Sequence, residues 1–442
     1  MEAAVDDKDK AQLIWEEQNK ILENETCKRC VFCKGCKLYF WLELGEILFN
    51  KVNTKKQNGV YIPVRNIPDN ILRNLTPSKK ITDIYYNKYC RKYSKLEDGF
   101  IVLKGMSSST PSLMNSIYDT NQYSGGGFYL RYNGIGIAID PGYHFIDNLH
   151  HYGLSVLDID AVVITHEHID HNNDMRLLDD LHHAVYNLAG PKKKIYWYLD
   201  KVSYEIARIY QKNNTGFQEE ANIIYCLSDH GEDKSKAEKE ICICDNVEVR
   251  LKIFKTKHIE NKKIKNLKKY NEHTFGCCFL LENDKDTKCL VYTSDTSYFP
   301  ELIENINIYP DVLIANISGI YEDDIMLIKK KERHLGYYGC YHLLIDIKER
   351  FNKFPEMVFI SEFWNGEHDI RFDVTSFLEK EIKREDEKHS VRIIPAEVGM
   401  VLRITDSALR CTQCGKFTKE FKLHKPNSYN EKIKVLCKSC IY

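Results

Sequence analysis

Directly after the apolar run Ile159 to Ile164 the chain reads Thr165-His166-Glu167-His168-Ile169-Asp170-His171. A buried strand that ends in three histidines and two carboxylates within six residues gathers nitrogen and oxygen donors at one point, as zinc-type divalent ions require. The sequence therefore predicts a metal centre at a strand end, and the fold must be one that lets those side chains converge.

The 442 residues suffice for a substantial core and for more than one domain. Lys plus Arg (63) and Asp plus Glu (64) nearly cancel, which excludes a long-range basic field for nucleic acid; any polyanion must be held by a local patch or by metal. Residues 1–20 are charged and amphipathic without an apolar signal core, and no later window approaches the length of a membrane span. The expectation is a soluble cytoplasmic protein with no membrane association. Of sixteen cysteines, eight fall in Cys-x-x-Cys units, which in a large non-secreted chain favours metal over disulfides. Cys242, Cys244, Cys277, Cys278 and Cys289 lie in strand-like apolar segments and are expected to be buried thiols.

Residues 1–98 form a first region, with a helical pattern from Lys8 to Asn24 that runs into a cysteine cluster, followed by Pro63, Pro68 and Pro77, which fragment long elements. From Gly99 the texture changes. Short apolar runs such as Phe100–Leu103, Gly127–Tyr132, Gly136–Asp140, Ala161–Thr165 and Ile195–Leu199 alternate with helical patterns at Asp174–Leu188 and Tyr337–Phe351. That alternation predicts a layered α/β domain over residues 99–405. Residues 406–442 are lysine-rich, carry two more cysteine pairs and are too few to fold without a staple.

Within the central region, Ile135 to Asp140 reads as a buried strand ending in a carboxylate before Pro141-Gly142. His166 and His168, two apart on a tight loop, can converge on one ion, while Asp170 and His171 open a helix and face a second. Two cations a few ångströms apart need a shared anionic bridge, and Asp295, in Ser-Asp-Thr after the strand Cys289–Ser294, is the candidate.

Together with a later histidine and with His334 in His-Leu-Gly, these residues resemble the metallo-β-lactamase fold superfamily over roughly Gly99 to Thr405. The resemblance implies an αββα four-layer sandwich with metals at one edge, here extended by small cysteine-rich zinc-binding regions at both termini. It implies that His166, His168 and the later histidine hold one ion, that Asp170, His171 and His334 hold another, and that Asp295 bridges them. Asp140 would accept hydrogen bonds that orient the ligand histidines. His258, in Lys-Thr-Lys-His after the strand Val247–Phe254, stands where the family pattern places the later histidine; His273, in Glu-His-Thr-Phe-Gly, competes with it. The implied cofactors are two divalent ions, Zn2+ or Mn2+. His150, His151, His182 and His183 read as helix-surface residues without a role.

Two bridged cations bring a shared water near neutrality as hydroxide and neutralise charge on an attacked phosphate or carbonyl, so the implied chemistry is hydrolysis. Asp295-Thr296 and the late histidine resemble the ribonuclease Z and phosphodiesterase branch more than lactamases or thioester hydrolases. The substrate expected is therefore a nucleic acid or nucleotide: RNA, DNA or a cyclic nucleotide. Asp170 is counted as catalytic as well as ligating, and for the leaving-group acid the sequence offers Glu367 and His368, in the loop after the strand Met357–Ser361. No glycine- and proline-rich arm of the kind that grips transfer RNA is present, which argues against transfer RNA maturation. Lys255 to Lys269 carries seven lysines beside His258 and is either a phosphate-tracking loop or a solvated surface. Ser124–Gly127 reads as a hairpin turn rather than a phosphate cradle. The competing functions are hydrolysis of an ester, thioester or lactam by the same fold, and a non-catalytic, zinc-stabilised binding or assembly protein.

Cys411-x-x-Cys414 and Cys437-x-x-Cys440, separated by 22 residues, have zinc-ribbon spacing: two knuckles closing one tetrahedral thiolate site that staples the tail. Cys27, Cys30, Cys33 and Cys36 would span ~13 Å in a continuous helix, so the backbone must fold back, at Gly35, to close around structural zinc or an iron–sulfur cluster. Both terminal regions offer surfaces for a second copy or a partner protein.

Overall fold

Apolar stretches rich in valine, isoleucine and phenylalanine, bounded by glycine, asparagine and aspartate, become strands throughout the body of the chain. The computed structural model describes residues 52–57, 60–65, 98–106, 125–188, 193–227, 240–258, 274–283, 286–318, 334–363, 370–386, 391–425 and 432–441. The chain divides into two compact units, residues 1–81 and 82–442. In the first, β1 (Val52–Gln57) pairs antiparallel with β2 (Val60–Arg65). Cys27, Cys30, Cys33 and Cys36 lie outside the described residues, and so does the expected metal site there.

The second unit holds two large mixed sheets. In chain order its strands are β3 (Gly99–Val102), β4 (Phe128–Tyr132), β5 (Ile135–Ile139), β6 (Ala161–Ile164), β7 (Ile195–Leu199), β8 (Asn222–Cys226), β9 (Ile241–Ile243), β10 (Asn246–Lys255), β11 (Phe275–Glu282) and β12 (Thr287–Tyr292). There follow β13 (Val312–Ser318), β14 (Met357–Phe363), β15 (Arg392–Pro395), β16 (Val401–Arg403), β17 (Ala408–Arg410), β18 (Phe417–Thr418), β19 (Phe421–His424) and β20 (Lys434–Cys437). The first sheet has nine strands in the order β18-β17-β16-β3-β4-β5-β6-β7-β8, and the second has seven in the order β15-β14-β13-β12-β11-β10-β9. In the first, β3 to β5 pair antiparallel and β5 to β8 parallel. The second repeats the plan, antiparallel from β9 to β12 and parallel from β12 to β15.

The sheets face each other across one apolar layer. Phe100, Phe128, Ile137 and Val163 from the first sheet meet Leu251, Phe279, Tyr292, Ile314 and Phe359 from the second. Their rings interlock, Phe128 lying 5.3 Å from Tyr292 and Phe100 5.6 Å from Phe359 between centroids. Helices cover the outer faces. Helices α1 (Phe145–His151), α3 (Met175–Leu188) and α4 (Lys201–Lys212) pack Phe145, Leu149, Leu178, Val185 and Ala207 on the first sheet; the single turn α2 is Ile169–Asn172. Helices α5 (Leu302–Ile306), α6 (Gly336–Phe351) and α7 (Arg371–Glu385) put Leu302, Leu343, Ile347 and Leu378 on the second. Strands covered on both faces, such as β13 and β14, are buried at every residue, and each opens on four apolar residues, Val312 to Ala315 and Met357 to Ile360, before its polar positions. The four layers form the αββα sandwich that the resemblance implied.

The tail is more than a stapled appendage. β17 and β18 extend the first sheet, and Phe421, Ile433 and Val435 join the core between the sheets. Among the described residues no helix is long and apolar enough to cross a membrane. Truncating Phe279, which is fully buried in β11, is expected to cost about 3–5 kcal/mol of unfolding free energy by denaturant titration. A loss near zero would mean the two sheets do not share this core.

Candidate metal centre

Five strands that end along one edge of the sandwich each carry a polar or charged residue just past their apolar run: Lys104 after β3, Asp140 after β5, His166 after β6, Asp295 after β12, and Glu362 near the end of β14. All five side chains are buried. Three of these ends turn through left-handed backbone at Asp140 (φ 47°), Ser294 (φ 53°) and Glu362 (φ 60°), a conformation that costs roughly 1–2 kcal/mol for a residue with a Cβ. Such positions persist where the surroundings over-determine them and they cluster at functional sites. Glycine makes the close approach possible: a Cβ on Gly142 would lie 1.8 Å from the Asp170 carbonyl oxygen, and one on Gly127 would lie 2.1 Å from that of Asp140. Gly127 therefore serves backbone packing beside the site, not the hairpin turn expected of Ser124–Gly127; Ser124 itself lies outside the described residues.

Three imidazoles and one carboxylate converge. His166 Nε2 lies 3.1 Å from His168 Nδ1, and His258 Nε2 lies 3.2 Å from the same atom. Asp295 Oδ2 closes the group at 3.6 Å from His166 Nε2 and 4.0 Å from His258 Nε2. A tetrahedral zinc ion with bonds of ~2.0–2.1 Å needs donors about 3.4 Å apart, close to this spacing. Ring nitrogens facing one another in a triangle are poorly served by protons, which satisfy one pair at a time. A divalent cation serves all of them, so this donor set fits an ion. Of the two histidines weighed from the sequence, His258 lies in this group; His273 lies outside the described residues.

Asp140 organises the histidines from beneath. Its carboxylate accepts from the Thr165 backbone N–H (2.8 Å), the Thr165 hydroxyl (2.7 Å), His171 Nδ1 (2.8 Å) and the Tyr292 hydroxyl (2.8 Å). Because the Thr165 proton goes to Asp140, its oxygen accepts from His166 Nδ1 at 3.2 Å, leaving the His166 Nε2 lone pair aimed at the triangle. Burial, with His171 beside it, pushes His166 well below its ordinary range, in keeping with a neutral ring. On the other wall, Asn316 donates from Nδ2 to Asp295 Oδ1 at 3.1 Å and so fixes which oxygen faces the histidines. Burial alone would raise the Asp295 pKa, but His334 and His171 outweigh it and hold the carboxyl well below its usual range.

Beside this group lies a second cluster. His171 Nε2 is 3.7 Å from Asp170 Oδ2, 3.6 Å from Asp295 Oδ2 and 3.0 Å from Glu362 Oε1. His334, the most exposed of these side chains at 27%, places Nδ1 3.5 Å from Asp295 Oδ2 and groups with Asp295 and Glu362 rather than with Asp170 and His171. The Lys104 ammonium enters the same cluster. It is ion-paired with Glu362, sits 3.6 Å from Asp170 Oδ2 and 3.4 Å from His171 Nε2, and donates to the Asp170 carbonyl at 3.0 Å. Burial would lower its pKa, but Glu362, Asp170 and Asp295 outweigh burial and keep it charged.

Lys104 and Glu362 are absent from the residues singled out in the sequence. The available signal was position: each is a single charged residue at the end of an apolar strand, as Asp140 and Asp295 are. Glu367 and His368, the candidates for a leaving-group acid, lie outside the described residues, as do all the lysines of Lys255–Lys269 after Lys257. Lys255 and Lys257 are exposed, immediately before His258. His182 corrects the surface reading: it is buried, contacts the Lys193 carbonyl at 3.0 Å through Nε2, and burial pushes its pKa down to about 4. Cys277, Cys278 and Cys289 are buried as expected, whereas Cys242 and Cys244 are only partly so.

In the tail, the sulfurs of Cys411, Cys414, Cys437 and Cys440 lie within 4.8 Å of one another, a set able to hold a metal ion. Cys414 and Cys437 approach to 3.6 Å, near the ~3.8 Å edge expected for Zn–S bonds of ~2.3 Å. The Gly415 backbone N–H returns to the Cys411 carbonyl at 2.9 Å with φ 75°, closing the first knuckle. Burial would raise the Cys411 thiol, but backbone N–H groups of Cys414, Cys437 and Gln413 pull it down to about 6, favouring the thiolate.

The family described as Anti-Pycsar protein Apyc1 matches residues 119–334, a span that includes Asp140, His166 to His171, His258, Asp295 and His334 but neither Lys104 nor Glu362. The uncharacterized protein MJ1374 of Methanocaldococcus jannaschii is 25% identical over 242 residues, covering 55% of this chain and 76% of that one. Among solved structures, the metallo-β-lactamase fold protein YhfI of Bacillus subtilis is 15% identical with a TM-score of 0.47, over 69% of this chain and 99% of that one. Unliganded yeast PDE1 is 12% identical with a TM-score of 0.48, over 67% of this chain and 96% of that one. The short form of human tRNase Z is 15% identical with a TM-score of 0.41, over 60% of this chain and 92% of that one.

Proposed function

We propose that this chain, a metal-dependent hydrolase of the metallo-β-lactamase fold, cleaves phosphodiester bonds in RNA, DNA or a cyclic nucleotide. The observation that carries the reading is the convergence of His166, His168, His258 and Asp295 on one point at a buried strand edge. These four residues would hold a divalent ion, Zn2+ or Mn2+, which would supply an acidified water and positive charge toward the scissile group. Anionic substrates are favoured by the rim, where Lys255 and Lys257 are exposed directly before His258. The Asp295-Thr296 pair adds the resemblance to the phosphodiesterase branch.

The chain's own residues divide the remaining work. Asp140 and Thr165 hold His166 in the tautomer that leaves Nε2 free, and Asn316 fixes Asp295. The His334 side chain has solvent access, being 27% exposed. Burial works against its protonation, but Asp295 outweighs that and raises its pKa, so we assign it the proton delivered to the leaving oxygen. The cysteine set of the tail is assigned structural zinc, and the two cysteine-rich ends are the proposed surfaces for a partner or a second copy.

The test is turnover by the purified chain on a panel holding cyclic nucleotides, RNA and DNA oligonucleotides, a β-lactam, a carboxylic ester and a thioester. The expected result is chelator-sensitive hydrolysis of at least one phosphodiester. Turnover confined to the carbonyl substrates would move the assignment to the ester, thioester or lactam class, and no turnover on any of them would favour a binding protein.

A further inference from the structure

We infer that the Lys104 ammonium stands in for a second divalent ion, so that the site takes up one ion, held by His166, His168, His258 and Asp295, with a fixed lysine charge beside it. The inference rests on the metal-site reading above and narrows it: the pair of ions implied by the sequence becomes one ion and one side chain.

The two clusters differ in a way that decides the matter. In the first, the atoms facing each other at 3.1 and 3.2 Å are all imidazole nitrogens, with no cationic side chain among them. In the second, opposite charges already interleave. Lys104 lies against the Glu362 carboxylate, Glu362 Oε1 is 3.0 Å from His171 Nε2, and Asp170 reaches Lys104 through both its side chain (3.6 Å) and its carbonyl (3.0 Å). His171 is closed on its other side by Asp140. The first cluster holds no cationic side chain, and the second contains one, the Lys104 ammonium beside Glu362.

Position and charge agree. A second ion would draw on Asp170, His171 and Glu362, or on Asp295, His334 and Glu362, and Lys104 Nζ is within 3.6 Å of Asp170 Oδ2 and of His171 Nε2 and ion-paired with Glu362, which both groups share. Bound at ~2.1 Å to those atoms, such an ion would touch the ammonium nitrogen, two like charges with no water between them. The buried carboxylates Asp140, Asp170, Asp295 and Glu362 offset one dication and one ammonium, whereas a second dication would leave the buried cluster net positive. Lys104 is fully buried, so it has no path to retract its charge into water as surface lysines do. Its part is to position Asp170 and Glu362 and to supply a charge that no chelator removes.

The experiment counts metal per chain by mass spectrometry, on full-length protein equilibrated with excess Zn2+ and separately with Mn2+ and then desalted. Any metal on the cysteine sets is common to all samples, so differences are read. His168→Ala is expected to lose one equivalent relative to wild type, Asp170→Ala to lose none, and Lys104→Ala to gain one. Lys104→Met, which keeps the packing of the stem, covers a failure of Lys104→Ala to fold. Electron paramagnetic resonance of Mn2+-loaded wild type needs no variant and is expected to show isolated ions. A spin-coupled pair in wild type, loss of an equivalent in Asp170→Ala, or unchanged metal in both lysine variants would overturn the inference. An unchanged count in His168→Ala would instead reject the metal-site reading, and the inference with it.

Discussion

His168→Ala is expected to lose one equivalent of bound metal and to lower hydrolysis by about a thousandfold or more. His168 Nδ1 is the atom shared by both close imidazole contacts, 3.1 Å to His166 and 3.2 Å to His258, so its removal opens the triangle. A catalytic divalent ion is worth several kcal/mol of transition-state stabilisation, and each ~1.4 kcal/mol is tenfold in rate. Folding should survive, because the His168 side chain is partly exposed and no apolar cluster depends on it. His151→Ala, on the exposed end of α1, serves as the control and should change neither metal content nor rate. Metal analysis and initial rates on the same preparations check the prediction; full activity with the metal lost would detach the ion from the chemistry.

Asp140→Ala is expected to cost about 3–5 kcal/mol of stability, the range for removing one partner of a buried charged network. The carboxylate is fully buried and is the common acceptor for Thr165, His171 and Tyr292, so truncation strands donors that water cannot reach. Asp140→Asn separates the roles. It keeps the volume and one acceptor oxygen but loses the charge, and is expected to fold while activity falls roughly 10–100-fold, the usual effect of disturbing a residue that orients metal ligands. Denaturant unfolding of the alanine variant and rates of the asparagine variant are the measurements. A stable alanine variant would show that the Thr165 hydroxyl and His171 are held by other groups.

Much of this site was legible in the sequence because strand ends announce themselves. Apolar runs of four to six residues stop at Asp140, at Thr165-His166 and at Ser294-Asp295, and the parallel halves of both sheets bring those ends to one edge. The spacing of His166, His168, Asp170 and His171 says which side chains share a loop, and His258 follows from the same rule at the end of β10. Lys104 and Glu362 obey it too but stand alone, outside any motif. A lone lysine is ordinarily a solvated residue, since lysine is almost never fully buried unless paired, and its partner here is 258 residues away in sequence. Pairing at that separation is set by the packing of β3 and β14 on opposite sheets, which no local pattern encodes. The left-handed turns at Asp140, Ser294 and Glu362 were equally hidden, because none is a glycine. His182 misled for the opposite reason: it lies in an amphipathic helix beside a second histidine, and only packing against Lys193 reveals it as buried.

The most direct measurement is anomalous X-ray diffraction at the zinc edge from crystals of the metal-loaded chain. An anomalous peak ~2.0–2.1 Å from His166 Nε2, His168 Nδ1 and His258 Nε2, within bonding reach of Asp295 Oδ2, is the predicted result. A site without a peak, or ring nitrogens drawn too far apart to share one ion, would contradict the account.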